Sequence, residues 1–297
     1  TEEKTAVIEI AKAAGLTLLS EEERNPLYTT TYGVGEVIKD AVRNGCRKFI
    51  VGIGGSATND GGAGMLQALG FGLLKENGEQ IPIGARGLEE LAEITDDNVI
   101  PELAECKFKI ACDVTNVLCG ETGASAVYGP QKGADEEMTE RLDRLLFSYA
   151  SLVKKKIPKA DSMYPGTGAA GGLGFAFLTF MDAQLESGIQ IVIKETGLEQ
   201  EIAKADLVIT GEGRMDGQTA MGKAPIGIAK IAKKYGKPVI AFAGAAARDA
   251  GACNEQGIDA FFPILREAVS LEAAMKRENA EANMEAAVEQ AYRLWRL

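Results

Sequence analysis

Between Gly52 and Gly62 the chain reads Gly-Ile-Gly-Gly-Ser-Ala-Thr-Asn-Asp-Gly-Gly. An apolar run from Phe49 to Ile53 leads into it, and a helical pattern through Met65, Leu66 and Leu69 follows. Strand, glycine-rich loop and helix start together offer bare backbone N–H groups and a helix N-terminus to an anion, most often phosphate. Gly54, Gly55, Ser56 and Asn59 are the candidate ligands of that anion. Asp60 changes the chemistry. A carboxylate beside a phosphate repels it unless a metal ion or a substrate hydroxyl lies between them. The loop therefore points to phosphate chemistry, with Asp60 as a catalytic or metal-holding group. Glycines that serve only a tight turn are the competing reading.

Four more stretches carry comparable residue types. Asp113 and Asn116 follow a strand pattern at Phe108–Cys112. Strand C-termini are where α/β proteins build sites, and an Asp and an Asn there can bind Mg²⁺ or a hydroxyl. An Asx turn that only shapes the loop fits nearly as well. Gln131 and Lys132 lie in Tyr-Gly-Pro-Gln-Lys-Gly (128–133), where the lysine either neutralises an anion or is simply solvated. Gly171 and Gly172 belong to a second glycine-rich loop, Gly166–Gly174, with close helix packing as the alternative. Gly211, Glu212 and Asp216 follow a strand, and Lys223 precedes a helix with Pro225 in its first turn. Lys223 suits a phosphate, while Glu212 and Asp216 suit a metal or a hydroxyl proton.

Two familiar labels fit poorly. Gly217–Lys223 resembles the P-loop spacing, but Ala224 stands where the Mg²⁺-binding Ser or Thr belongs. Gly52–Ala57 matches a dinucleotide fingerprint, yet Asn59-Asp60-Gly61-Gly62 falls where the helix should already run. An NAD(P)-dependent oxidoreductase using that loop is the alternative function. The chain contains no histidine, so any proton transfer must use Asp, Glu, Lys, Tyr or Cys.

These groups need elements to hold them. Strands are expected at 5–10, 48–53, 108–112, 189–193, 207–210, 239–243 and 258–264. Helices are expected at 35–43, 61–69, 138–156, 225–235, 249–256 and 271–295, and from the 166–174 loop to about 185. Residues 70–74 and 80–83 read as a hairpin across Asn77-Gly78. On the long helix Leu142, Leu145, Leu146, Tyr149, Leu152 and Val153 share one face. From 205 onward strands and helices alternate with short connections, the pattern of a doubly wound parallel sheet. The domain boundary is placed near 200, giving 1–200 and 201–297. The chain opens on Thr1 already entering a strand, so it reads as the remainder of a longer chain.

A net charge of −11 with no basic tract argues against nucleic acid and anionic membrane as partners. Five cysteines without a Cys-x-x-Cys pair read as reduced thiols of a cytoplasmic protein. No apolar run approaches the roughly 18 residues of a membrane span.

Taken together, the stretches 52–62, 112–116 (Cys-Asp-Val-Thr-Asn), 129–134, 168–174, 211–218 and 222–227 resemble the bacterial class I glycerate kinase family. The resemblance runs from about Lys4 to Leu265 and into the last helix. It implies phosphorylation of D-glycerate by ATP with Mg²⁺, usually at the 2-hydroxyl, with 3-phosphoglycerate as the alternative product. It also implies a flavodoxin-like doubly wound domain carrying a large inserted α/β domain, with the site in the cleft between them. This chain would hold only the C-terminal part of the first domain. Small-molecule substrates are the expected partners, and a homodimer is compatible. Family members carry Asp-Ser-Phe-Lys-type and Asp-Gly-Gly-Glu-Gly motifs ahead of the segment read here. Cys119 and Gly217 depart from common family choices. In this reading the two glycine-rich loops cradle anionic groups, and Lys132 and Lys223 offset charge. Asp60, Asp113, Glu212 or Asp216 orients the hydroxyl and holds Mg²⁺. Asp216 is the expected base, and Asp60 and Asp113 are the metal candidates.

Overall fold

The structure, a computed structural model, describes residues 4–297. The chain divides into two compact units, one ending at Gly188 and the other running from Ile189 to Leu297.

In the first unit a parallel sheet is ordered β1-β2-β5-β6, built from β1 (Lys4–Glu9), β2 (Cys46–Gly52), β5 (Lys107–Ala111) and β6 (Ala183–Glu186). Register pairs Phe49 with Phe108 and Val51 with Ile110, and the two phenyl rings stack with centroids 4.6 Å apart. These inward residues alternate with more exposed lysines, as a sheet covered by helices requires. Helix Tyr32–Arg43 crosses helix Ala63–Leu69 at a close approach. A Cβ on Gly35 would stand 2.4 Å from the Met65 carbonyl oxygen. Helix Glu136–Lys156 is started by Asp135, whose side chain accepts the Met138 N–H. It buries Leu142, Leu145, Leu146, Tyr149 and Val153, as its periodicity predicts, and Leu152 packs at the edge of that core.

Two sequence expectations are met only in part or not at all. β3 (Gly72–Leu74) pairs antiparallel with β4 (Glu93–Thr95), and its expected pairing with 80–83 is short, carried by the Lys75 N–H to the Glu79 carbonyl and the Ile81 N–H to the Leu73 carbonyl. The turn at Asn77-Gly78 does form, with Gly78 at φ 83°, but only one bridge, Leu74 to Gln80, follows it. The Gln80 side chain takes the Phe71 carbonyl and the Leu73 N–H, groups a continued strand would have used. Pro82 then withholds a ladder donor. The strand expected at 189–193 is instead part of the helix Gly188–Thr196, which follows β6 and leads into the second unit. Its Ile-Gln-Ile-Val-Ile run has strand propensity, but tertiary contact overrides it. Ile189 packs against Gly227, where a Cβ would lie only 2.6 Å from the isoleucine.

In the second unit β7 (Val208–Met215), β8 (Val239–Ala246) and β9 (Ala260–Pro263) form a parallel sheet ordered β7-β8-β9. Its core gathers Met215, Ile226, Val239, Ala241 and Ile258. Helix Ala224–Lys234 packs on this sheet, and helix Arg277–Trp295 places Ala291 against Phe242 and Ile264. The expected single helix over 271–295 breaks at Met275-Lys276 into Leu271–Ala274 and Arg277–Trp295. The observed architecture is mixed α/β with parallel sheets. Among the described residues no helix is long and apolar enough to cross a membrane.

Candidate active site

Asp60 has no solvent exposure. Its Oδ2 accepts from the Thr31 N–H at 2.8 Å, the Thr31 hydroxyl at 2.9 Å, the Thr30 hydroxyl at 3.3 Å and the Gly64 N–H at 3.3 Å. Its Oδ1 accepts the Gly62 N–H at 3.1 Å. The Thr31 hydroxyl in turn accepts the Met65 N–H at 2.9 Å. The carboxylate thus caps the Ala63–Leu69 helix and rivets it to the Thr30–Thr31 segment. Burial pushes the Asp60 carboxyl above the usual range, working against the Thr31, Gly62 and Gly64 donors that favour its charged form.

This geometry corrects three expectations. A carboxylate that takes five protein donors and is sealed from solvent presents no open face to a metal ion or a substrate. Asp60 is a positioning residue. The helix N-terminus expected to cradle phosphate is already filled by that carboxylate. The dinucleotide reading loses its pyrophosphate site for the same reason. Asn59 is also buried, its amide donating to the Ser125 hydroxyl at 2.9 Å while its Oδ1 has no partner among the described residues.

The anion-binding groups lie earlier in the loop. Gly54, Gly55 and Ser56 line a cavity of about 250 Å³, together with Asp113, Tyr128, Gln131, Lys132 and Ala170. The backbone N–H groups of Gly54, Gly55 and Ser56 have no acceptor among the described residues. The loop around them is fixed: the Leu16 N–H donates to the Gly55 carbonyl, the Ala57 N–H to the Ala14 carbonyl, and the Thr29 hydroxyl to the Ala57 carbonyl. Such held, unpaired donors form an anion-binding concavity.

Lys132 is only 2% exposed, and its Nζ donates to the Thr58 carbonyl at 2.7 Å. Burial lowers its pKa to about 8, while the charge of Asp60 works to keep it protonated. A lysine this well buried at a cavity wall is poised to pair with an anion. Gln131 is exposed at the same rim. Asp113 is exposed too. Its Oδ1 accepts the Gly188 N–H at 3.0 Å, and its Oδ2 has no partner among the described residues.

The second glycine-rich loop does not cradle an anion separately. Gly171 and Gly172 have φ of 67° and 93° and press against the first loop. A Cβ on Gly171 would stand 2.0 Å from the Thr58 oxygen, and one on Gly172 would stand 2.8 Å from the Gly61 Cα. The Gly61 N–H donates to the Gly171 carbonyl at 2.9 Å. The two loops brace each other, and Ala170, also left-handed at φ 52°, borders the cavity. Asn116 stands behind the wall. Its amide donates to the Thr122 carbonyl at 2.8 Å, and its Oδ1 accepts the Tyr128 hydroxyl at 2.7 Å. Asn116 therefore orients Tyr128, a cavity residue whose type and spacing carry no ligand signal in the sequence. Cys112 also borders the cavity, with its thiol pKa raised by burial.

In the second unit Asp216 caps the short helix Gly217–Ala220. Its Oδ1 accepts from the Gln218 and Thr219 N–H groups at 3.0 and 3.2 Å, with Lys223 Nζ 4.0 Å away. Burial works to raise its pKa, but the Thr219 N–H, Lys223 and the Gln218 N–H outweigh it and hold the carboxyl below its usual range. Its Oδ2 has no partner among the described residues. The Thr219 hydroxyl donates to Glu212 Oε1 and lies 3.4 Å from Asp216 Oδ1, tying the two carboxylates together. Lys223 is the N-cap of helix Ala224–Lys234, so its ammonium stands at that helix's positive end. Gly211 sits inside β7, where a Cβ would meet the Phe242 oxygen at 2.3 Å. It packs closely against β8 and also lines a cavity with Thr210, Glu212 and Gly213. Among the described residues no cluster of three or more Cys, Asp or Glu side chains could hold a metal by itself.

Comparison with known proteins adds to this geometry. The model of the glycerate kinase family matches residues 1–296. The chain is 50% identical over 274 residues to a glycerate kinase of Halalkalibacterium halodurans, covering 92% of this chain and 72% of that protein. It is 49% identical over 273 residues to the glycerate 2-kinase of Escherichia coli K12, with the same 92% and 72% coverage. Among solved structures it is similar to a Salmonella typhimurium LT2 protein assigned as glycerate kinase 2. The TM-score is 0.84 at 48% identity, covering 97% of this chain and 75% of that one.

Proposed function

The chain belongs to the glycerate kinase family and is an enzyme of that kind, and from this premise we propose that it transfers the γ-phosphoryl group of ATP to the 2-hydroxyl of D-glycerate. The observation that carries the proposal is the cavity wall where three unpaired N–H groups, Gly54 to Ser56, stand with the buried ammonium of Lys132. That wall suits the carboxylate of a three-carbon acid. The choice of the 2-hydroxyl follows the Escherichia coli relative, which is named a glycerate 2-kinase.

Phosphoryl transfer needs positioning and charge neutralisation more than covalent chemistry. Lys223, at a helix N-terminus, would offset charge on the transferring phosphate. Asp216 would accept the hydroxyl proton at its free Oδ2. Its lowered pKa keeps it ionised at neutral pH, and a loose transition state asks little basicity of it. Mg²⁺ is commonly held by one or two carboxylates plus substrate phosphates. Glu212 and Asp113, each with one carboxylate oxygen unpartnered among the described residues, are alternative candidate holders, and the ion would neutralise charge on the phosphates of ATP. In this reading the family's flavodoxin-like domain and its inserted domain correspond to the two units. Steady-state turnover of ATP and D-glycerate by the full-length protein tests the proposal. Asp216→Asn is expected to lower kcat about 100-fold or more. Near wild-type kcat in that variant removes Asp216 as the base.

A further inference from the structure

The hydrogen-bond polarity of the cavity is set by Asn116. Its amide N–H donates to the Thr122 carbonyl, so the side chain cannot turn over without setting Oδ1 against that carbonyl oxygen. Its backbone carbonyl also accepts the N–H groups of Gly166 at 3.2 Å and Gly168 at 2.9 Å, which holds the residue in place. Asn116 Oδ1 is therefore a fixed acceptor, and it takes the one proton of the Tyr128 hydroxyl at 2.7 Å. A phenol whose proton is committed has only lone pairs left to offer. Burial also raises the Tyr128 pKa, so the group stays a neutral phenol through the physiological range. Tyr128 borders the same cavity as the donors Gly54, Gly55, Ser56 and Lys132. Those donors suit an acid group, while Tyr128 can only accept.

We propose that Tyr128 is a specificity-determining residue whose phenol oxygen accepts a hydrogen bond from a hydroxyl of the bound hydroxy acid. The cavity thereby selects the hydroxy acid over analogues that lack that hydroxyl or carry a carbonyl in its place. A site built to pair with a hydroxyl rejects the analogue without it because a buried polar group is left unpaired. The inference rests on the reading that the cavity binds glycerate.

The test is calorimetric titration of the full-length protein and its Tyr128→Phe variant with D-glycerate, D-lactate and 3-hydroxypropionate, with glycerate turnover measured alongside. Losing one neutral hydrogen bond predicts D-glycerate binding weakened about three- to ten-fold. The analogue that lacks the hydroxyl read by Tyr128 should bind both proteins within about two-fold. D-lactate keeps only the 2-hydroxyl and 3-hydroxypropionate only the 3-hydroxyl, so the insensitive analogue identifies which hydroxyl is read. If all three acids weaken together, Tyr128 only shapes the loop, and the proposal is overturned. It is equally overturned if none weakens. Wild-type protein that binds glycerate without phosphorylating it contradicts the proposed reaction and leaves this test intact. Absence of saturable glycerate binding overturns both.

Discussion

Replacing Asp60 separates an anchoring carboxylate from a metal ligand. In Asp60→Ala five donors lose their acceptor: two N–H groups of the helix start, the Thr31 N–H and two threonine hydroxyls. The vacated space is about that of one water molecule, which can accept from two of them. Three remain unpaired at about 1–3 kcal/mol each, partly offset by removing a buried charge, so a loss of about 3–5 kcal/mol is expected. In Asp60→Asn the carbonyl can keep the four donors at the Oδ2 position, and the amide faces only the Gly62 N–H. That leaves one unpaired donor and a loss of about 1–3 kcal/mol. Because burial raises the Asp60 pKa, the folded chain holds this proton where the unfolded chain has released it. Wild type therefore loses stability relative to Asp60→Asn as pH rises above the ordinary aspartate range. Urea unfolding followed by circular dichroism, repeated across pH, measures all three quantities. An Asp60→Ala protein within about 1 kcal/mol of wild type, with its Mg²⁺ dependence lost, would refute the anchoring role.

Lys132 gives a prediction of opposite sign. Between its pKa of about 8 and the usual 10.5 the unfolded chain binds a proton that the folded chain has released, so stability rises with pH in that window. At about 1.4 kcal/mol per pH unit, wild type should gain about 3 kcal/mol on Lys132→Met between those limits, read from paired denaturation curves. If the ammonium binds the substrate anion, kcat/KM should fall above pH 8, and a flat profile to pH 10 would count against it. Gly171→Ala should cost more than 2 kcal/mol in the melting curve, since its Cβ meets the Thr58 oxygen at 2.0 Å and its φ is 67°. An unshifted Tm would show that the two loops do not brace each other. Thr219→Val should lower kcat with little change in KM by loosening Asp216 and Glu212, and equal loss in both would point to substrate binding instead.

The residues that could do chemistry were legible because glycines, acids and lysines clustered at strand ends. Gly54, Gly55, Ser56, Asp113, Gln131 and Lys132 do meet at one cavity. Periodicity also found the helix Glu136–Lys156 and the strand–helix alternation after 205. What composition could not reveal is which groups are already spoken for. Asp60 is filled by Thr30 and Thr31, thirty residues away in sequence, and no local pattern links them. Asn116 looks like a ligand by type, yet its amide is consumed by Thr122 and Tyr128. Gly171 and Gly172 look like a cradle, but only their contact with Thr58 and Gly61 identifies them as a brace. The helix at 188–196 was hidden by an isoleucine-rich run whose fate depends on packing against Gly227.

The phosphorylated product is the most direct readout of the reaction. Phosphorus NMR of the mixture made by the full-length protein from ATP, Mg²⁺ and D-glycerate identifies it, because the 2- and 3-phosphates differ in chemical shift and coupling. The expected result is 2-phosphoglycerate with stoichiometric ADP. A 3-phosphoglycerate signal would contradict the assigned hydroxyl, and ATP left intact beside glycerate would contradict the proposed reaction.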